Sequence, residues 1–144
     1  MYICFRVPPF VRDIARSLSK KSKYYLFDWL PVERKGPLLE NIVAVHIQKA
    51  CHFWTDLAYG VFDLCYLRTK DKEEVDFCVI RDGNPWMLVE CKAQSTTLSR
   101  SLQKFAALLP ETQAFQLTTR NIDRVVPGTE IRIMPMEKFL SMLL

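Results

Sequence analysis

A chain of 144 residues and 16.9 kDa has the size of one ordinary domain, and 49% hydrophobic with 25% charged residues is the balance of a globular protein with a sizeable core. Four Gly and eight Pro exclude collagen-like and low-complexity chains, no apolar run approaches the ~18 residues of a membrane span, and the start lacks the pattern of a secretory signal, so a cytoplasmic protein without membrane contact is expected. The net charge of +4 belongs to residues 1–35, which carry eight Lys/Arg against three acidic groups, whereas residues 36–144 carry twelve against thirteen.

Residues 1–36 are expected to form a basic extension packed on the core, and residues 37–144 the folded α/β domain. Within the extension the pattern predicts an extended start, a short helix near Val11–Lys20 and a strand over Tyr24–Trp29. Pro31 and the cluster Arg34-Lys35-Gly36-Pro37 then break it. Arg12, Arg16, Lys20, Lys21 and Lys23 could meet a phosphate backbone, or they could be a solvated basic face. Phe5, Phe10, Tyr24, Tyr25, Phe27 and Trp29 interleave with them, as bases stacking on rings would require and as core packing would equally produce.

From Pro37 to about Asp56 a long helix is predicted, with Leu39, Ile42, Val43, His46, Ala50, Phe53 and Trp54 recurring at three- and four-residue steps. Asn41, Gln48, His52 and Asp56 fall on its polar side. Three strands follow over Val61–Arg68, Glu73–Arg81 and Pro85–Lys92, with turns at Lys70-Asp71-Lys72 and Asp82-Gly83-Asn84. A helix over Leu98–Leu109 capped by Thr97, strands at Gln113–Thr118 and Glu130–Met134, and a short helix at Met136–Leu144 complete the order. Helix, three-strand meander, helix, strand, strand, helix implies an α/β sandwich around a mixed sheet.

Five scattered cysteines, with no C-x₂-C pair, read as reduced core residues rather than a zinc site. His46 and His52, six apart, do not share a helical face as a metal pair would. No G-x-x-x-x-G-K-[ST] loop exists, which excludes a P-loop ATPase in this chain.

The chemistry concentrates in Glu73–Ile80 and Trp86–Lys92. Alternation puts Glu90 and Lys92 on one face of their strand. A three-residue Asp82-Gly83-Asn84 loop would set Arg81 against Pro85 and Asp76 directly opposite Glu90; a two-residue turn would send the carboxylates to opposite faces. Two carboxylates side by side repel, and burial raises the cost, which a divalent cation removes. Mg²⁺ or Mn²⁺ on Asp76 and Glu90, with Lys92 stabilising negative charge or orienting water, is a recipe for phosphodiester hydrolysis. A solvent-facing strand with a weak Lys92–carboxylate pair is the alternative. Glu40, at the edge of the helical stripe, either reaches the sheet as a further ligand or merely answers the helix dipole. Gln103 could face the same cleft or stay on the surface.

Asp76, Glu90-Cys91-Lys92 and Glu40, in this element order, resemble the PD-(D/E)XK nuclease superfamily, whose core is an αβββαβ sandwich. Phe5-Arg6-Val7-Pro8-Pro9-Phe10, Tyr24–Asp28, Leu38-Leu39-Glu40-Asn41, Tyr66-Leu67-Arg68-Thr69 and Glu74-Val75-Asp76-Phe77 are further similar to the nuclease-like C-terminal domain of a family of prokaryotic AAA-type ATPases. The ATPase and winged-helix parts that precede it there are not in this sequence. The resemblance implies a Mg²⁺-dependent nuclease acting on DNA, with Asp76, Glu90 and Lys92 catalytic and Asp76, Glu90 and Glu40 on the metal. Alternatively it implies an inactive nuclease-fold module that docks DNA or a protein for an ATPase. A third reading takes the apolar tail, Phe139, Leu140, Met142, Leu143 and Leu144, as a surface packed on another chain, with a homodimer as one outcome.

Overall fold

The computed structural model describes residues 3–10, 21–28 and 35–143. The expected helix at 11–20, Trp29, Leu144 and the basic residues Arg12, Arg16 and Lys20 lie outside the described residues.

Eleven elements are described. They run β1 (Cys4–Val7), β2 (Lys23–Leu26), α1 (Lys35–Asp56), β3 (Phe62–Arg68), β4 (Glu74–Arg81), β5 (Asn84–Cys91), α2 (Arg100–Leu108), β6 (Gln113–Thr118), β7 (Arg124–Val125), β8 (Arg132–Pro135) and α3 (Met136–Ser141). Six strands form the central sheet in the order β3-β4-β5-β6-β8-β7. The β3-β4-β5 meander is antiparallel, β5-β6 and β6-β8 are parallel, and β7 runs antiparallel on the β8 edge. The expected α/β sandwich with a mixed central sheet is what forms.

Each face of the sheet has its own core. On one, Val43, Ile47 and Ala50 of α1 pack with Phe77, Val79, Val89, Leu117 and Phe139. On the other, Leu102 of α2 meets Cys78, Ile80, Leu88, Ala114 and Ile131. The Ser99 side chain caps α2 by accepting the Leu102 N–H (3.3 Å), two residues past the expected Thr97. Gln116 explains the shift: fully buried on β6, it donates to the Thr97 carbonyl and accepts the Ser99 N–H, each at 2.8 Å.

The N-terminal residues supply a separate two-stranded sheet, β1 against β2, laid on α1. This changes which side of α1 is buried. Asn41, expected on the polar side, is buried, accepting the Leu26 N–H (2.9 Å) and donating to the Leu26 carbonyl (2.6 Å). Phe53, expected in the apolar stripe, is instead exposed. The helix also begins at Lys35, so Lys35-Gly36-Pro37 form its first turn rather than a break. The apolar tail folds back on its own chain: Phe139 and Leu143 are buried in the α1-side core, while Met142 stays exposed. Among the described residues, no helix is long and apolar enough to cross a membrane.

Candidate active site

Two irregularities in the meander bring the acidic residues together. The β4–β5 connection is a two-residue turn, with Arg81 paired to Asn84 and positive φ at both Asp82 (50°) and Gly83 (83°), the twist of a type I′ hairpin. This corrects the three-residue loop expected at Asp82-Gly83-Asn84. A regular ladder from such a turn would put Asp76 and Glu90 on opposite faces. However, Ile80 pairs with Pro85 and Val79 with Met87, so Trp86 is an extra residue on β5. That bulge restores the register in which Phe77 faces Val89.

The second irregularity is on the other side of β4. Cys65 pairs with Cys78 and Leu67 with Val75, which leaves Tyr66 opposite both Asp76 and Phe77. Strand parity breaks there: Val75 joins the α2-side core and Phe77 the α1-side core, although they are two residues apart. Bulges re-aim side chains, and here the Asp76 carboxylate turns into the plane of the sheet. Its Oδ2 accepts the Cys91 N–H of β5 at 2.9 Å.

Glu90 sits beside it and is only 4% exposed. Its Oε2 is buried without a hydrogen-bond partner. Burial, then the Asp76 charge and a hydrogen bond with Asp76, push the Glu90 carboxyl up to about 9, against the pull of Lys92. Two buried carboxyl groups side by side favour keeping a proton between them, because ionising both would set like charges together out of water. Lys92 lies exposed just past β5, its amide donating to the Leu117 carbonyl (2.9 Å) and its charge close enough to act on Glu90.

Glu40 comes from the second turn of α1, so the helix-dipole explanation for it does not apply. It is half-buried, and Tyr25 of β2 donates its hydroxyl to Oε1 at 2.5 Å. Lys23 of β2 lies 3.7 Å from the same oxygen and hydrogen-bonds Glu74. Burial, then Asp76, raises the Glu40 carboxyl; Tyr25 and Lys23 counteract this. Burial works against the Lys23 charge, but Glu74, Glu40 and Asp76 together outweigh it and leave the ammonium firmly protonated. Burial and Glu40 likewise hold the Tyr25 phenol far above its ordinary range, so it remains a donor.

A cleft of ≈ 270 Å³ opens between the start of α1, the ends of β5 and β6, and Met136 of α3; Glu40 and Cys91 line it. Among the described residues, no group of three or more His, Cys, Asp or Glu side chains is gathered as a ready-made metal site. Asp76 and Glu90 are together, while Glu40 is engaged by Tyr25 and Lys23.

The other expected positions separate from the site. Lys21 is exposed, whereas Lys23 is turned inward onto the carboxylates and stacked 4.9 Å from the Tyr66 ring centroid. Gln103 lines a different groove, between α2 and residues 128–131. His46 Nδ1 contacts the Ile42 carbonyl (2.7 Å) and His52 contacts Gln48 (3.3 Å). Of the interleaved aromatics, Phe5 and Tyr25 are core residues, and Phe5 stacks 4.8 Å from Phe27; Tyr24 is exposed. All five cysteines are free; Cys51, Cys65 and Cys78 are buried, Cys91 half-buried, and Cys4 exposed rather than in the core. Sequence reasoning missed Tyr25, Glu74 and Asn41 as parts of the site. A Lys-Tyr alternation in β2 was the available signal, but it names no partner.

A family profile described as "Domain of unknown function (DUF4143)" matches residues 35–139, and the chain belongs to that family. No curated protein and no solved structure matches it.

Proposed function

We propose that this member of the DUF4143 family is a PD-(D/E)XK-like, Mg²⁺- or Mn²⁺-dependent nuclease domain that hydrolyses phosphodiester bonds in DNA. The observation that carries the reading is Glu90: a carboxyl buried to 4% exposure, with Oε2 unpartnered, beside Asp76 at the carboxyl end of β5. A buried carboxyl pair with an orphaned oxygen is costly unless the site serves a ligand. All-oxygen donors suit a hard divalent ion, and the carboxyl end of parallel strands is where open α/β sheets bind ligands.

Asp76 and Glu90 would hold the ion, with Glu40 available from α1. The ion would supply charge to the scissile phosphate and acidify a bound water. The residues themselves act by position. The Cys91 N–H fixes the Asp76 carboxylate, and burial keeps bulk water from Glu90. Lys92, exposed beside the pair, can place a positive charge against the phosphate as negative charge develops.

A second reading, a nuclease-like module that docks DNA or an AAA-type ATPase without cleaving, is favoured by the Lys23 ion pairs, which give Glu40 and Glu74 an internal counter-charge. Cleavage assays on single-stranded and duplex DNA with Mn²⁺ separate the two. The nuclease reading expects cleavage by wild type that is lost in Asp76→Asn and Lys92→Ala while circular dichroism is unchanged. Salt-sensitive binding that ignores metal, without cleavage, decides for docking.

A further inference from the structure

The acidic cluster does not stand open to solvent. Lys23, from a strand fifty residues earlier in the chain, hydrogen-bonds Glu74 and lies 3.7 Å from Glu40, and its charge also acts on Asp76. Its ammonium is seated over the Tyr66 ring, and Tyr66 is the residue opposite the Asp76 bulge. Two residues along the same face of β2, Tyr25 bonds Glu40. The strand carrying both is held by its backbone: Asn41 of α1 takes the N–H and the carbonyl of Leu26. The rings of Phe5, Tyr25 and Phe77 then tie β1 and β2 to β4 in sequence, at 5.9 and 5.6 Å between centroids. The short strand is thus attached to α1, β3 and β4 together.

We infer that β2 is an autoinhibitory strap, in which the Lys23 ammonium stands between Glu40 of α1 and Glu74 of β4 in place of a divalent cation, and that full cation binding requires Lys23 to leave. This rests on the metal-site reading above and adds its regulation. Glu90, whose Oε2 is buried and unpartnered, marks the part of the site that Lys23 does not satisfy. A site whose competent state is only a fraction of the population binds with an apparent affinity reduced by that fraction. The strap therefore weakens metal binding in the resting protein, and anything that lifts β2 from α1 strengthens it. A bound nucleic acid, whose phosphates offer Lys23 another anionic partner, is a ligand of the right chemistry to do so.

The test is calorimetric titration of Mn²⁺ into wild type, Lys23→Met, Lys23→Arg and Glu90→Gln at fixed pH and salt. Met keeps an unbranched side chain and removes the charge; Arg keeps the charge. The strap predicts affinity raised about tenfold or more by Lys23→Met, little change in Lys23→Arg, and loss in Glu90→Gln. Equal affinity in wild type and Lys23→Met, with loss in Glu90→Gln, overturns the strap and leaves the metal site standing. Absence of binding in all four removes the metal site, and the strap with it. Should Lys23→Met not fold, hydrogen exchange on wild type decides: saturating Mg²⁺ should speed exchange of the Leu26 amide, and unchanged protection overturns the inference.

Discussion

Replacing Glu90 by Gln should make the metal-free protein more stable at neutral pH. The folded chain holds the Glu90 carboxyl at about 9 against an ordinary 4.5. A carboxyl raised in the folded state contributes stability that is fully present below the unfolded value and is lost as pH climbs towards the folded one. From pH 4.5 to pH 7 the unfolded chain ionises while the folded chain keeps its proton. At ~1.4 kcal/mol per pH unit this costs the folded state about 3 kcal/mol. Gln has the shape of the protonated acid, can donate to Asp76 as it does, and does not titrate. Glu90→Gln should therefore match wild type within ~0.5 kcal/mol at pH 4 and exceed it by about 2–3 kcal/mol at pH 7, the gap levelling off above pH 9. Urea unfolding in chelator at pH 4, 5.5, 7 and 8.5 measures this directly. Parallel stability profiles for the two proteins would refute the shared proton and with it the strained state of the pair.

Three further substitutions probe the scaffold. Asn41→Ala strips the Leu26 N–H and carbonyl of their partners and should cost about 2 kcal/mol; the urea midpoint reports the loss, and hydrogen exchange should rise first at Leu26. Gln116→Leu, with no cavity to relax into, leaves the Thr97 carbonyl and Ser99 N–H unpaired and should cost about 2–4 kcal/mol; a change below ~0.5 kcal/mol by the same melt contradicts the bridging role. Gly83→Ala meets no atom within 4 Å of its new Cβ, so its cost is backbone strain at φ +83°. About 1–2 kcal/mol is expected from thermal melts, and an unchanged midpoint would mean that the hairpin tolerates another turn.

The order of elements from residue 37 onward could be read from the sequence because helices and strands there carry their own period. Gln113–Thr118 is observed with the boundaries its alternation predicts, and the three meander strands differ by a residue or so. What could not be read is whatever depends on partners distant in the chain. β7, two residues on an exposed edge, has too little pattern to be seen. Asn41 is buried against expectation because α1 is covered on a second side by β2. Helical periodicity records that a residue repeats, not how many layers surround the helix. Charge counting groups Lys23 with residues that meet a phosphate backbone or solvent, yet its partners Glu40 and Glu74 lie on other elements, about which such counting carries no information.

The register of Asp76 against Glu90 shows how a local rule can fail and its consequence still hold. Asp82-Gly83 makes the two-residue turn that, in a regular ladder, parts the carboxylates. The extra residue at Trp86 cancels that shift by one, so Phe77 still meets Val89. The extra residue opposite Tyr66 then rotates Asp76 out of the alternation altogether, onto the Cys91 N–H. Counting parity along β4 would assign Asp76 to a face; the bulge instead assigns it to the gap between two strands. Placing a carboxylate there costs the sheet one ladder position and leaves Glu90 holding a proton in the core. Both costs fall on β4 and β5, whereas the two cores on either face of the sheet stay apolar. Packing alone would favour the continuous ladder, and the break at Asp76 supports the proposal that these residues form a site.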